Sequence, residues 1–205
     1  MTNDLMKNTS LGQALWKAIW AVFLMTALLG IAYPVFMTIT ANMLFPHQAN
    51  GSLIAFSGRL IGSEMIGQDF SKTPYFQSRP SAAGEGYDAT ASSGTNFATT
   101  NEKQRKAIAQ RTKHWQTLTG NYGRVPVDLV TASSSGLDPH ISLAAALYQV
   151  PVVSRNTGLP AEQLKSLVLE QTMHGLFGGP QYVNVLQLNL NVAIAVTENK
   201  HKISK

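Results

Sequence analysis

The 205-residue chain contains no cysteine. That absence removes disulfide staples, thiolate-ligated zinc and a thiol nucleophile, and it suits either face of a membrane. Phosphate-cradling GxxxxGK[ST], GxGxxG after a strand, and HExxH are missing as well. His47, His114, His174 and His201 show no metal-ligand spacing, so no metal site is expected. Ser133, Ser134, Ser135, Asp138 and His140 stand close together, but G-x-S-x-G is absent and catalytic partners must converge from the fold. That stretch reads as a turn and a helix cap, and no catalytic residue is assigned. The net charge of +5 is spread over one predicted helix (Lys103, Arg105, Lys106, Arg111, Lys113) and the tail (Lys200, Lys202, Lys205). No interleaved aromatics or groove-reading motif accompany it, so it reads as a solvated face and nucleic acid is not an expected partner.

The longest absence is of charge. From Ala18 to Gly58 there is no Lys, Arg, Asp or Glu, and Ala18–Phe45 is almost wholly apolar. A helix crosses a hydrocarbon core of roughly 30 Å with about 20 residues, so this run is long enough to span. Trp16 and Trp20 at one end and Tyr33 at the other supply rings of the kind that settle at membrane interfaces. Pro34 is expected to kink or end the helix, because it lacks an N–H and clashes with the preceding turn. A cleaved signal peptide is the competing reading, with Lys7 and Lys17 as a basic start and Gly30-Ile31-Ala32 as a small-x-small site. The apolar run continues well past Ala32, which favours a retained anchor. Lys7 and Lys17 precede the helix and no cation follows until Arg59, so the positive-inside bias puts the N-terminus in the cytoplasm. The expected organisation is a cytoplasmic segment at 1–14, the transmembrane helix with a kinked or interfacial extension at 15–45, and an extracytoplasmic domain at 46–205. Ala14, Ala18 and Ala21 offer a small-residue helix face for packing against partner helices.

Beyond the anchor, Ser52–Phe56 and Arg59–Gly62 read as a hairpin around Ser57-Gly58, and Ser63–Gln68 as a helical turn. Ser78–Thr100 has the composition of a linker, yet Tyr87, Asp88, Asn96 and Phe97 are residues that pin an ordered loop. Arg79 within it is an anion contact or a loop anchor. Asn101 caps a predicted helix over Glu102–Leu118 that stops at Gly120, with Ile108, Trp115 and Leu118 on its apolar side. Val125–Thr131 is a short strand or helix. Asp138-Pro139 is expected to start a helix through Ser142–Tyr148 that Pro151 breaks or kinks. Pro160 opens another helix, with Leu164, Leu167 and Val168 on one face, which Gly178-Gly179-Pro180 stops. Tyr182–Leu190 reads as a strand leading into a final helix. The fold class is a single N-terminal transmembrane helix plus one mixed α/β (α+β) soluble domain.

Six segments go further: GIAYPVF (30–36), LFPHQANGSLI (44–54), IGSEMIGQDF (61–70), YFQSRPSAAGEGYDATASSGTN (75–96), VPVDLVTASSSGLDPHISLAAALYQVPVV (125–153) and VNVLQLNL (183–190). In order and spacing they closely resemble the C subunit of the bacterial Kdp-type high-affinity potassium-transporting ATPase. GLFGGP (175–180) looks like that family's glycine turn. The resemblance implies an inner-membrane complex of four subunits. The others are a channel-like potassium-binding subunit, a P-type ATPase subunit and a very small membrane peptide. ATP and potassium would be handled by the complex, with no cofactor bound directly here and with membrane lipid around the anchor. It implies a non-catalytic subunit that stabilises assembly and acts as a catalytic chaperone, raising the ATPase subunit's affinity for ATP. It also links the DLVTASSSGLDP…ALYQV block to nucleotide, which points to Ser133, Ser135, Gly136 and Gln149. The block holds no lysine and no phosphate loop, so an indirect or assembly role is the physically favoured form of that link. A signal-anchored periplasmic binding protein or enzyme with its own ligand is the alternative.

Overall fold

The computed structural model describes residues 10–175 and 178–203. Lys7, Leu176 and Phe177 lie outside them, as do residues 1–9 of the expected cytoplasmic segment. The chain divides into two units, Met1–Ser52 and Leu53–Lys205.

The first unit is helical. Ser10 caps helix α1 (Leu11–Ala27) by accepting a hydrogen bond from the Gln13 N–H at 3.4 Å. One wide π turn, Leu28–Ala32, joins it to α2 (Tyr33–Leu44). Pro34 therefore does not end the helix. The π turn shifts the hydrogen-bond register so that the Tyr33 N–H reaches back to the Leu28 carbonyl, and Pro34 falls in the first turn of α2, where a missing N–H costs little. Leu11–Leu44 is thus 34 residues of continuous helix, and it is the one helix among the described residues long and apolar enough to cross a membrane. At 1.5 Å per residue it measures about 51 Å, more than a hydrocarbon core needs. None of its large apolar side chains is buried within the chain: Trp16, Phe23, Leu29 and Phe36 are all about 60 % exposed. A short turn, α3 (Pro46–Ala49), closes the unit.

The second unit opens with the predicted hairpin, β1 (Leu53–Phe56) and β2 (Arg59–Ser63), antiparallel with one bulge. Ser63–Gln68 makes a single turn, closed by the Ile66 N–H on the Ser63 carbonyl, and does not go on into a helix: the Gly67 N–H donates instead to the Leu137 carbonyl. Helix α4 (Glu102–Thr119) starts and stops where expected: the Asn101 side chain accepts from the Lys103 N–H, and Gly120 takes φ +70°. A 3₁₀ turn (Val127–Leu129) follows. Asp138-Pro139 does not begin a helix but leads into β3 (His140–Ser142), and Ser142 is the true cap of α5 (Leu143–Thr157), accepting from the Ala145 N–H. Pro151 lies inside α5 without breaking it. The carbonyl it leaves unpaired belongs to Leu147, and both residues face outward, so water can serve that group.

Helix α6 (Ala161–Glu170) ends eight residues before Gly178, and the glycine run instead turns a hairpin between β4 (Met173–His174) and β5 (Gln181–Asn184). Strand β5 is the centre of an antiparallel three-stranded sheet, order β3-β5-β4, and passes directly into α7 (Val185–Ile203). One hydrophobic core joins these parts: Trp115 from α4, Val150 and Val153 from α5, Leu164 and Val168 from α6, Leu188 and Val192 from α7, Val183 from β5, and Phe76 from the long loop.

Candidate functional site

Phe76 anchors a loop that composition alone would assign to a flexible linker. Two buried amides hold it. The Asn189 side chain of α7 accepts from the Phe76 N–H at 2.9 Å and donates to the Phe76 carbonyl at 2.8 Å. Gln149 of α5 does the same for the next residue, accepting from the Gln77 N–H at 2.7 Å and donating to its carbonyl at 3.1 Å. The two side chains thus satisfy four backbone groups of an extended segment that belongs to no sheet. Both are essentially inaccessible to solvent, Gln149 at 1 % and Asn189 at 4 % exposure.

Further along, the loop docks on the Ser133–Gly136 turn. Ser81 Oγ donates to the Gly136 carbonyl at 2.6 Å and accepts from the Ala83 and Tyr87 N–H groups. The Ser135 carbonyl accepts from both the Ser93 N–H and Ser92 Oγ at 3.0 Å, while Ser135 Oγ accepts from the Leu137 N–H. Gly136 is required here: its φ is +69°, and a Cβ would sit 2.6 Å from the Ala83 nitrogen. Ser135 and Gly136 thus hold the loop directly, and Ser133 is buried at the start of the same turn. Gln149 acts on a different part of the same loop, from α5.

Arg79 links these pieces to the sheet. Its guanidinium lies 3.1 Å from Asp138 Oδ2 and 3.9 Å from Asp128 Oδ1. Asp138 Oδ1 accepts from the His140 N–H at 3.0 Å and lies 3.6 Å from His140 Nδ1, and Asp128 Oδ2 accepts from the Ser142 N–H at 2.9 Å. The His140 ring stacks edge-on against Tyr182, centroids 5.0 Å apart. Arg79, Asp128, Asp138, His140, Ser142, Gln181 and Tyr182 line an open cleft of about 390 Å³. Burial is the largest influence on the Asp138 carboxyl and pushes its pKa up. The His140 side chain and N–H and the Arg79 charge together outweigh it and hold the pKa below the ordinary value. The Tyr87 hydroxyl donates to the Arg79 carbonyl. Its pKa is pushed up to about 12, first by burial and then by the negative charge of Asp69.

Arg79 is accordingly a loop anchor whose charge is matched by two carboxylates. No group of three or more His, Asp or Glu among the described residues is arranged to hold a metal ion. Sequence reasoning singled out Gln149, Ser133, Ser135 and Gly136, but it missed Asn189 and Asp128. The available signal for Asn189 was an amide amid the otherwise apolar run VNVLQLNL. Ala14, Ala18 and Ala21 lie on one side of α1, exposed along the apolar helix.

Residues 15–193 match the family described as "KdpC: K+-transporting ATPase, c chain". Three relatives, each called "Potassium-transporting ATPase KdpC subunit", match over most of their length. The protein of Acidobacterium capsulatum is 49 % identical over 87 % of this chain and 94 % of its own. That of Caldanaerobacter subterraneus subsp. tengcongensis is 43 % identical over 93 % of this chain and 100 % of its own. That of Rhodospirillum rubrum is 48 % identical over 81 % and 88 %. A match of this extent covers the apolar helix, the clamped loop and the paired Arg79 together, and the chain belongs to the family of K+-transporting ATPase c chains.

Proposed function

We propose that the chain is a non-catalytic accessory subunit of an ATP-driven, high-affinity potassium uptake complex, which it helps to assemble and whose P-type ATPase subunit it sensitises to ATP. The observation that carries this reading is the family match itself, which includes the apolar helix as well as the domain. A 34-residue helix with no side chain buried in its own chain needs lipid and partner helices around it. Ala14, Ala18 and Ala21 are the face we assign to those partners: the channel-like potassium-binding subunit, the ATPase subunit and the small membrane peptide.

In this reading the helix crosses the inner membrane with the N-terminus in the cytoplasm and 46–205 on the periplasmic side. Lys17 in the second turn of the helix and the absence of Lys or Arg from there until Arg59 support that direction. ATP is then on the opposite side from the domain, so the effect on nucleotide travels through the membrane helix and the assembled partners. Ser135, Gly136 and Gln149 contribute by fixing the shape of the Phe76–Gly94 loop, with Ser133 buried in the turn that carries two of them, and the loop supplies a rigid surface to a partner; none of the four contacts ATP in this reading. The bonding of Gln149 on both sides of its amide supports this assignment.

The test is potassium-stimulated ATP hydrolysis by the complex purified with and without this chain. The proposal predicts a clearly higher KM for ATP without the chain at similar kcat. A KM unaltered by the chain in an intact complex would remove the chaperone role and leave assembly alone.

A further inference from the structure

Along Leu28–Ala32 the backbone bonds reach back five residues instead of four, and the same register shift that admits Pro34 leaves one carbonyl over. The N–H four residues beyond Leu29 belongs to Tyr33, which donates to Leu28 instead. The next N–H would be that of Pro34, which has none. Ala32, inside the π turn, reaches back past Leu29. The helix's own ladder therefore passes over the Leu29 carbonyl. No side chain among the described residues makes up for it. Asn42, which bonds back to this helix, serves the Thr38 carbonyl, and Thr26 presents only its methyl, 3.8 Å from where a Gly30 Cβ would sit.

The depth of that carbonyl decides what it needs. Counted at 1.5 Å per residue, Leu29 lies about 27 Å along a helix of about 51 Å. A hydrocarbon core of roughly 30 Å, fitted anywhere along that length, always covers the stretch from about 21 to about 30 Å. Leu29 is thus in hydrocarbon however the helix is shifted along its axis. Water is scarce there, so a carbonyl without a donor is costly and calls for one from protein. A lipid tail has none to offer, whereas a hydroxyl or amide side chain on a neighbouring helix does. Gly30 follows directly, and with no side chain of its own it lets a second helix approach the backbone closely.

We infer that the Leu28–Ala32 turn is the docking point for a transmembrane helix of another subunit, which donates a hydrogen bond from a hydroxyl or amide side chain to the Leu29 carbonyl. This rests on the accessory-subunit reading above and assigns to it one particular bond. Leu11-Gly12 and Leu29-Gly30 are the two Leu-Gly pairs of the sequence. In full-length Gly12→Ala, where the added Cβ meets nothing within 4 Å, carbonyl-¹³C leucine with ¹⁵N glycine therefore marks the Leu29 carbonyl alone. Solid-state NMR reads its chemical shift in phospholipid, first with this chain alone and then in the complex with unlabelled partner subunits. The expected signal is upfield, at an unbonded position, in the chain alone, and moves downfield on assembly. Pro34→Ala, which returns an N–H to the helix, should place it downfield without partners. A signal already downfield in the Gly12→Ala chain alone, or unmoved in a complex that has assembled, overturns the inference and leaves the accessory reading standing. A chain that recovers no partner subunit overturns both.

Discussion

Replacing Asn189 with leucine keeps the γ-branched outline of the side chain, with more bulk, and deletes both of its hydrogen bonds. Phe76 is fully buried, so its N–H and carbonyl would lose their only recorded partners without gaining water. Each orphaned group costs about 1–3 kcal/mol, and the extra apolar contact of leucine recovers part of that, leaving a loss of roughly 3 kcal/mol. Against a total stability of about 5–15 kcal/mol this is a large fraction. For a domain of this size it corresponds to a fall in Tm of about 6–12 °C. Gln149→Leu should behave alike through Gln77. The two amides grip adjacent residues, so once one grip is lost the segment moves and the second matters less. The double variant should therefore fall short of the sum of the singles by about 0.5–3 kcal/mol. The assay is thermal and urea unfolding of the full-length chain in detergent, with amide hydrogen exchange resolved at Phe76 and Gln77. Exchange at those two amides should accelerate in Asn189→Leu well before global unfolding. If the variant stays within about 0.5 kcal/mol of the parent and Phe76 exchanges no faster, the clamp does not hold the loop and the reasoning fails.

Asp138 gives a pH dependence with a definite sign. Its pKa is depressed in the folded state, so its contribution is fully present above the unfolded value of 3.8 and is lost as pH falls through the folded pKa. Asp138→Asn should thus be less stable than the parent at neutral pH, and the difference should shrink in unfolding curves taken progressively below pH 3.8. A difference that stays constant across that range would mean the Arg79–Asp138–His140 arrangement adds no charge-dependent stability. Tyr122 is 76 % exposed, so Tyr122→Cys in intact spheroplasts should react with a membrane-impermeant maleimide before lysis; reaction only after lysis reverses the proposed orientation. Ala18→Leu should reduce recovery of the partner subunits while Phe23→Leu, on the opposite side of α1, leaves it unaltered, and equal recovery would remove the alanine face from the interface.

Local signals in the sequence were legible because the physics behind them is local. Asn101 and Gly120 bound α4 through one side-chain bond and one left-handed residue, and Ser57-Gly58 marks the hairpin through its turn geometry. What could not be read depends on partners far away in the chain. Asp138-Pro139 looks like a helix start, but the residues after it pair with β5 some 40 positions later, and the Val185 N–H donates to the Pro139 carbonyl. Gly178-Gly179-Pro180 looks like a helix stop, yet α6 has already ended and the glycines turn the chain from β4 to β5. Ser78–Thr100 resembles a linker because the partners that order it lie far away in the chain: the Gly136 and Ser135 carbonyls accept from Ser81, Ser92 and Ser93, and Gln149 and Asn189 hold Gln77 and Phe76 immediately before it. Ser133, Ser135, Gly136 and Gln149 were singled out by resemblance alone, and the bonding of Gln149 became visible only once α5 and the loop were seen together.

The most direct test of the central claim is affinity purification of the full-length chain in mild detergent from potassium-starved cells. An accessory subunit brings with it a P-type ATPase and a channel-like subunit, and the eluate hydrolyses ATP faster when potassium is added. Recovery of this chain alone, monodisperse and without ATPase activity, would contradict the account.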